Sequence, residues 1–365
     1  EMLRSLVGSE MCIRDSYLGT AMKTRTAVIT GAKKIEIREV ELPPLGPRQV
    51  LVKVRSCALC TWEQRFYKGC SPEDYPFRGG HEVAGEVVEL GAEAMGSAQV
   101  GDPVALAIMK RCGVCDHCRR GMDNFCEADD GGHLPGQPWG PGGLSDYVIL
   151  EDYQVYKANA GSSFEHLALA EPVACVIRSV NRPELEFGDY VLVQGAGLMG
   201  LLHLLLLKQR GVRVIISEPD ADRREKAIAL GADAVVDPMD AKFEQAVKDL
   251  HNGKKFRAIF FTAGGVPAIQ QALPLLSKGG WLCLYGSVHP KGVYQIDPND
   301  IHYNEWIVTG TFSHTKNSFR QAVSLLSEGM VNVAPFISEI VPFPNVAYAF
   351  ERAISPDTYR VIVTF

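Results

Sequence analysis

Along residues 22–150 the apolar positions come in short runs, broken repeatedly by glycine and proline. Runs at 27–29, 34–38, 50–54, 82–89, 103–107 and 145–149 are too short for helices and rich in β-branched residues, so they predict strands. Short strands with long intervening loops predict a compact β-barrel-like domain, and the Gly- and Pro-rich stretch 131–143 predicts a loop. The pattern changes near residue 176. From there β-rich runs at 190–194, 213–217, 234–236, 258–261 and 281–285 alternate with helical stretches at 220–230, 243–250 and 267–276. Strands alternating with helices at this spacing predict a parallel, doubly wound sheet, hence an α/β class. A helix at 318–327 and a strand at 360–364 are too little for a third domain and are expected to return to the first.

Composition narrows this picture only slightly. A chain of 365 residues is long enough for two cores. With 46% hydrophobic residues, 22% charged residues and a net charge of −6, neither nucleic acid nor an anionic membrane is an expected partner. The apolar run 201–207 is far too short to cross a bilayer. Ten cysteines are too few for a disulfide scaffold over this length. They cluster with His and Glu, which points to metal and a reducing cytoplasm. Residues 1–21 lack the continuous apolar core of a secretory signal. They read as a non-native leader resembling a translated vector remnant, with Met22 as the natural start and Cys12 without functional weight.

Three groups of residues carry chemistry. Cys112, Cys115, Cys118 and Cys126 form a closed four-thiolate set, most simply a structural zinc site, because Cys-x-x-Cys spacing presents two sulfurs from one tight turn. Two disulfides within fifteen residues would be strained. The second group is Gly195-Ala-Gly197-Leu198-Met199-Gly200, which follows a predicted strand and opens an apolar helix. Its glycines suit a tight turn, close approach of a pyrophosphate and helix–strand packing, and the helix N-terminus favours phosphate. Glu218 ends the next strand, where a carboxylate accepts from a ribose diol and repels a 2′-phosphate, so NAD is expected over NADP. Arg223 and Arg224 weigh slightly against that preference. The third group is Cys60, His81, Glu82 and Glu171, a donor set for a catalytic zinc that keeps one exchangeable position.

Taken together, Gly80-His81-Glu82-x-x-Gly85, the four-cysteine lobe, Ala170-Glu171-Pro172 and the 195–200 turn resemble the zinc-dependent medium-chain dehydrogenases over nearly all of residues 22–365. Glu171 stands where many alcohol dehydrogenases of that family have Cys, as in the sorbitol (polyol) and threonine dehydrogenase branches, and residues 301–305 and 310–314 look like the same branches. The resemblance implies a GroES-like catalytic domain at 22–175, a Rossmann domain at 176–312 and a C-terminal return at 313–365. It implies two Zn2+ per chain, NAD, a cytoplasmic homodimer or homotetramer, and a catalytic zinc on Cys60, His81 and Glu171 with Glu82 in or near its shell. By the same analogy Trp62, Arg65, Trp139, His302 and Glu305 surround the substrate, an ion pair between Arg65 and Glu305 being the alternative use of those two. Thr262, Gly286, Ser287 and Val288, at carboxyl ends of strands, are expected at the nicotinamide half.

One position departs from the family. Ser or Thr commonly stands two residues after the ligand Cys and starts a proton relay, whereas Trp62 has only an N–H donor. Glu63, Arg65, Tyr67 or a water remain as relay candidates, and Trp62 is read as a wall of the pocket. The expected reaction is hydride transfer between NAD and a secondary alcohol or its ketone, with a polyol, sugar alcohol or cyclitol as substrate. The alternatives are a threonine-type amino alcohol and a redox-inert protein that binds zinc and dinucleotide.

Overall fold

The computed structural model describes residues 22–71, 74–128, 137–250 and 253–365. The leader with Cys12, and positions 131–136 of the expected loop, lie outside them. The first region runs β1 (Lys23–Gly31), β2 (Lys34–Glu41), β3 (Gln49–Ala58), α1 (Thr61–Tyr67), β4 (Glu82–Leu90), β5 (Pro103–Leu106), α2 (Asp116–Arg119), β6 (Tyr147–Glu151), β7 (Val155–Lys157) and α3 (Phe164–Leu167). Helix α4 (Ala170–Val180) leads into β8 (Tyr190–Gln194), α5 (Leu198–Lys208), β9 (Arg213–Ser217), α6 (Ala221–Ala229), β10 (Ala234–Val236), α7 (Phe243–Leu250) and β11 (Phe256–Phe261). Next come α8 (Gly265–Ala272), β12 (Leu276–Leu284), α9 (Pro298–Asn304) and β13 (Ile307–Gly310), then α10 (Lys316–Ser327), β14 (Ile337–Pro342), α11 (Val346–Ala353) and β15 (Arg360–Thr364).

Along the first half of β3 alternate residues point inward. Val50, Val52 and Val54 are buried with Val83, Val87, Val104, Val361 and Val363 in one barrel core. The sheet order is β14-β15-β3-β4-β5-β7, with β6 also on β3, so the last two strands of the chain complete the first sheet. Ile362 pairs with Ala58, and Ala58 with Glu82, which places the ends of β3, β4 and β15 side by side.

The second sheet is wholly parallel in the order β10-β9-β8-β11-β12-β13. Along β8, Val191 and Val193 enter one core and Leu192 the other, so the strand reads as an unbroken apolar run. Helix α5 is apolar all round because it is buried between this sheet and α4. Its buried His203 meets Met199 O (2.7 Å) and Ser179 Oγ (2.9 Å), tying α5 to α4, and burial pushes its pKa down to about 4.

Several boundaries differ from the sequence pattern, most of all around β12. The helix expected over 267–276 ends at Ala272 in a tight turn containing Pro274, which cannot donate to a helix ladder. The strand expected from residue 281 starts at Leu276, where it pairs with Phe256. Strand β14 was not expected, since it ends in proline, a residue that sheets accept at an edge such as this one.

Candidate active site

The Ala58–Glu82 register brings Cys60, just past β3, beside His81 and Glu82 at the start of β4. One ligand atom from each of the three lies within 4.8 Å of the others. Gly80 makes this approach possible. It adopts φ +101, and a Cβ there would come 2.2 Å from Leu144 N.

Two of the three donors are oriented by a neighbour. His81 Nδ1 lies 2.6 Å from Glu63 Oε1, which also accepts from Gly80 N–H, so the other ring nitrogen is left for the Cys60 side. Carboxylate–histidine pairs of this kind fix the tautomer of a metal ligand. Glu82 Oε1 accepts from Arg360 Nη2 at 2.7 Å with both side chains buried, while Glu82 Oε2 is buried without a hydrogen-bond partner among the described residues. Burial pushes Glu82 up to about 7 against the pull of Arg360 and His81. Burial and Glu82 likewise raise the Cys60 thiol. Burial opposes a charged His81, but Glu63 and Cys60 outweigh it and hold its pKa well above the usual value. A half-buried thiol, an imidazole and an orphaned carboxylate oxygen in one cluster fit a zinc ion, whose charge would stabilise the anionic forms that burial disfavours.

Glu171 is close but not within the cluster. In the first turn of α4 it accepts from the Cys175 thiol at 3.1 Å, and its charge contributes to raising Glu82. Trp62 packs edge-on to His81 with ring centres 5.3 Å apart, and to Trp139 at 6.4 Å, so an aromatic wall does stand beside the cluster. Among the relay candidates, Glu63 is committed to His81, and Tyr67 donates to Glu351 with its pKa raised to about 12 by burial and that bond.

His302 and Glu305 do not join this group. Both are exposed, His302 meets only the ring of Tyr303 among aromatic neighbours, and no ion pair joins Glu305 to Arg65 among the described residues. The reason is topological. Helix α9 and its cap run into the start of β13, the amino end of the parallel sheet, whereas ligands of such sheets sit at the carboxyl ends. Arg65 instead reaches His289 Nε2 at 2.9 Å.

A cleft of about 310 Å3 lies between the two sheets. Gly197, Leu198, Met199, Gly200, Arg223 and Thr262 line one side, and Thr61, Gln64, Lys68, Thr358, Tyr359 and Arg360 line the other. A Cβ on Gly200 would fall 1.9 Å from Gly195 O, so the turn closes only with glycine. No side chain caps α5 at Gly197, which leaves its first N–H groups for a ligand. This cradle fits a dinucleotide pyrophosphate. Glu218, buried, accepts from Ala196 N–H (2.7 Å) and Asp220 N–H (3.0 Å), a second duty that pins the glycine turn to β9. Each oxygen still has a lone pair for a ribose hydroxyl. Arg223 is turned to Pro356 O (2.7 Å) and the Tyr359 ring, and Arg224 to the Glu218 and Pro219 carbonyls. Gly286 packs on Thr262 where β11 and β12 end, and Ser287 Oγ lies 3.1 Å from His289 Nε2, with Val288 between them. A larger groove of about 510 Å3 around Arg48 and Asp152 shares no residue with the cluster, and its Asp152 is already bound by Arg48.

Sequence reading missed Arg360, Lys68 and His289. It named Glu63 only as a relay candidate, not as the partner of His81. Nothing local marks Arg360 as the partner of a residue 278 positions away.

In the lobe, the sulfurs of Cys112, Cys115, Cys118 and Cys126 lie within 4.8 Å of one another, and all nine described cysteines are free thiols. Cys112, Cys115 and Cys126 each accept a backbone N–H from another cysteine of the set, a donor arrangement suited to thiolates around zinc. Such N–H groups lower the Cys112 pKa to about 6. The lobe docks through Asp123, which accepts from Lys316 N–H, and Asn124, which donates to Phe312 O. Cys115→Ser is therefore expected to lower thermal stability and release one zinc while leaving the Cys60 cluster intact. Unchanged stability and zinc content would exclude a metal from the lobe.

Residues 46–160 match the family model for the alcohol dehydrogenase GroES-like domain, and residues 199–328 match that for zinc-binding dehydrogenase. The chain is 32% identical to an L-threonine 3-dehydrogenase of Pyrococcus abyssi, over 93% of this chain and 97% of that one. It is 29% identical to a sorbitol dehydrogenase of Halalkalibacterium halodurans, over 94% and 99%. A crystal structure described as a zinc-binding dehydrogenase of Sinorhizobium meliloti, bound to NADP, superposes with a TM-score of 0.83 at 25% identity, covering 94% and 100%. Among the described residues no helix is long and apolar enough to cross a membrane.

Proposed function

The chain belongs to the zinc-dependent medium-chain dehydrogenases, an oxidoreductase family acting on alcohols, and we propose that it exchanges hydride between NAD and the secondary carbinol of a polyol. The observation that carries this reading is the Cys60–His81–Glu82 cluster, joined to the dinucleotide cleft through Arg360, which lines the cleft and bonds Glu82. Cys60, His81 and Glu82, with Glu171 adjacent, would hold the catalytic zinc, and the four-cysteine lobe the structural one. When bound, zinc lowers the pKa of an alcohol hydroxyl as a Lewis acid, and the nicotinamide accepts hydride.

The chain's own residues do the positioning. Glu63 holds the His81 tautomer, and Arg360 fixes one oxygen of Glu82. Trp62 and Trp139 close one side of the site to water. The indole N–H of Trp62 cannot accept a proton, so the hydroxyl proton leaves by a path other than residue 62. The same reading divides the chain into a catalytic domain at 22–175, a Rossmann domain at 176–312 and a return at 313–365, in a reducing compartment that suits its free thiols.

A screen of alcohols with NAD tests the substrate class. Polyols are expected to turn over, and much faster oxidation of simple primary alcohols or of L-threonine would remove the polyol assignment. The preference for NAD rests on Glu218, although a similar structure holds NADP. Glu218→Ala is expected to reduce the ratio of kcat/KM for NAD over NADP on the order of tenfold, the worth of one charge-assisted bond. An unchanged ratio would contradict contact with the ribose.

A further inference from the structure

Arg65 is a charged group beside the site that neither the fold nor the hydride step employs. Residues of α1 diverge by about 100° per position, so Arg65 leaves the helix between the directions of Thr61 and Trp62. Thr61, Gln64 and Lys68 face the dinucleotide cleft, and Trp62 faces His81. The guanidinium therefore stands at the seam where the cleft meets the aromatic wall.

Its surroundings leave the charge without a counter-ion. Among the described residues Arg65 has no carboxylate within ion-pair distance, and its one hydrogen bond goes from Nη1 to His289 Nε2 at 2.9 Å. Ser287 Oγ approaches the same nitrogen at 3.1 Å. An imidazole carries no negative charge, so His289 cannot act as a counter-ion to the guanidinium. The remaining donors of a planar, half-exposed fork are suited to a carboxylate or phosphate in bidentate contact. On the cleft side the uncapped α5 N-terminus and Lys68 are available to the cofactor's own phosphates.

We propose that the substrate is an anionic polyol, bearing a carboxylate or phosphate away from the reacting carbinol, and that Arg65 binds that group. This assignment rests on the dehydrogenase reading above. It is tested with the zinc-loaded enzyme and NAD on a matched series of a hexitol, the corresponding hexonate and the hexitol phosphate. The anionic members are expected to exceed the hexitol in kcat/KM on the order of 10- to 100-fold. Arg65→Gln should erase that advantage through KM, and Arg65→Lys should restore part of it. An advantage that is absent, or that persists in Arg65→Gln, overturns the proposal. So does a defect confined to KM for NAD, which would give the guanidinium to the cofactor's pyrophosphate. Quenching of tryptophan fluorescence in the NADH complex reads the same preference without turnover. Arg65-dependent binding of the anions by an enzyme that oxidises no alcohol would support the anion site while sinking the dehydrogenase reading. Turnover of neutral polyols with no anion preference would do the reverse.

Discussion

Cys60→Ala is expected to yield a chain that holds one zinc instead of two and turns over alcohols at least about a thousandfold more slowly, the scale of losing several kcal/mol of Lewis-acid stabilisation. Two features make this a clean experiment. Cys60 is the N-cap of α1 but its side chain makes no capping hydrogen bond, so the substitution removes no helix cap. It is also partly exposed, so little core volume is lost, and stability should fall by no more than about 1 kcal/mol. Metal analysis and activity are then read on a folded protein. Cys115→Ser supplies the opposite pattern, losing a zinc and stability with the cluster kept. Two zincs and wild-type turnover in Cys60→Ala would sink the proposed mechanism.

What could be read in the chain depended on how local each feature is. The 195–200 turn, the His81-Glu82 pair and the four cysteines are written within short segments, because a phosphate cradle, a strand start and a thiolate knuckle each need neighbouring residues. The alternation of β-rich runs and helices likewise exposed the parallel sheet, since both faces of β8 are buried. The orienting partners were not legible. Glu63 meets His81 across 18 positions, and Arg65 meets His289 across 224, contacts that exist only once the sheets are assembled. His302 and Glu305 misled for a related reason. Branch-like residues around them say nothing about which end of a parallel strand they occupy, and α9 delivers them to the amino end of β13. Glu218 shows a third kind of limit: its position after a strand suggests a ribose contact, whereas its bonds to Ala196 and Asp220 depend on the turn already being folded.

Arg360→Met is expected to destabilise the protein by about 3–5 kcal/mol, the cost of removing one member of a buried ion pair. Arg360 and Glu82 are 3% and 0% exposed in their side chains, and Arg360 Nη1 also donates to Leu59 O, one residue before Cys60. The last strand of the chain therefore holds both the Glu82 carboxylate and the backbone next to the Cys60 thiol. Without the guanidinium, burial and the nearby Glu171 and Glu63 disfavour the ionised Glu82 still further, so the carboxyl is left either as an uncompensated charge or forced to take up a proton. Chemical denaturation of the single variant should be compared with Glu82→Gln and with the double variant. The double variant leaves no unpaired charge and is expected to recover most of the lost stability, whereas turnover should stay low because a donor of the cluster is gone. A single variant within about 1 kcal/mol of wild type would refute this dependence. It would mean that another positive charge, bound zinc being the available one, already compensates Glu82, and that Arg360 positions the carboxylate without being needed to neutralise it.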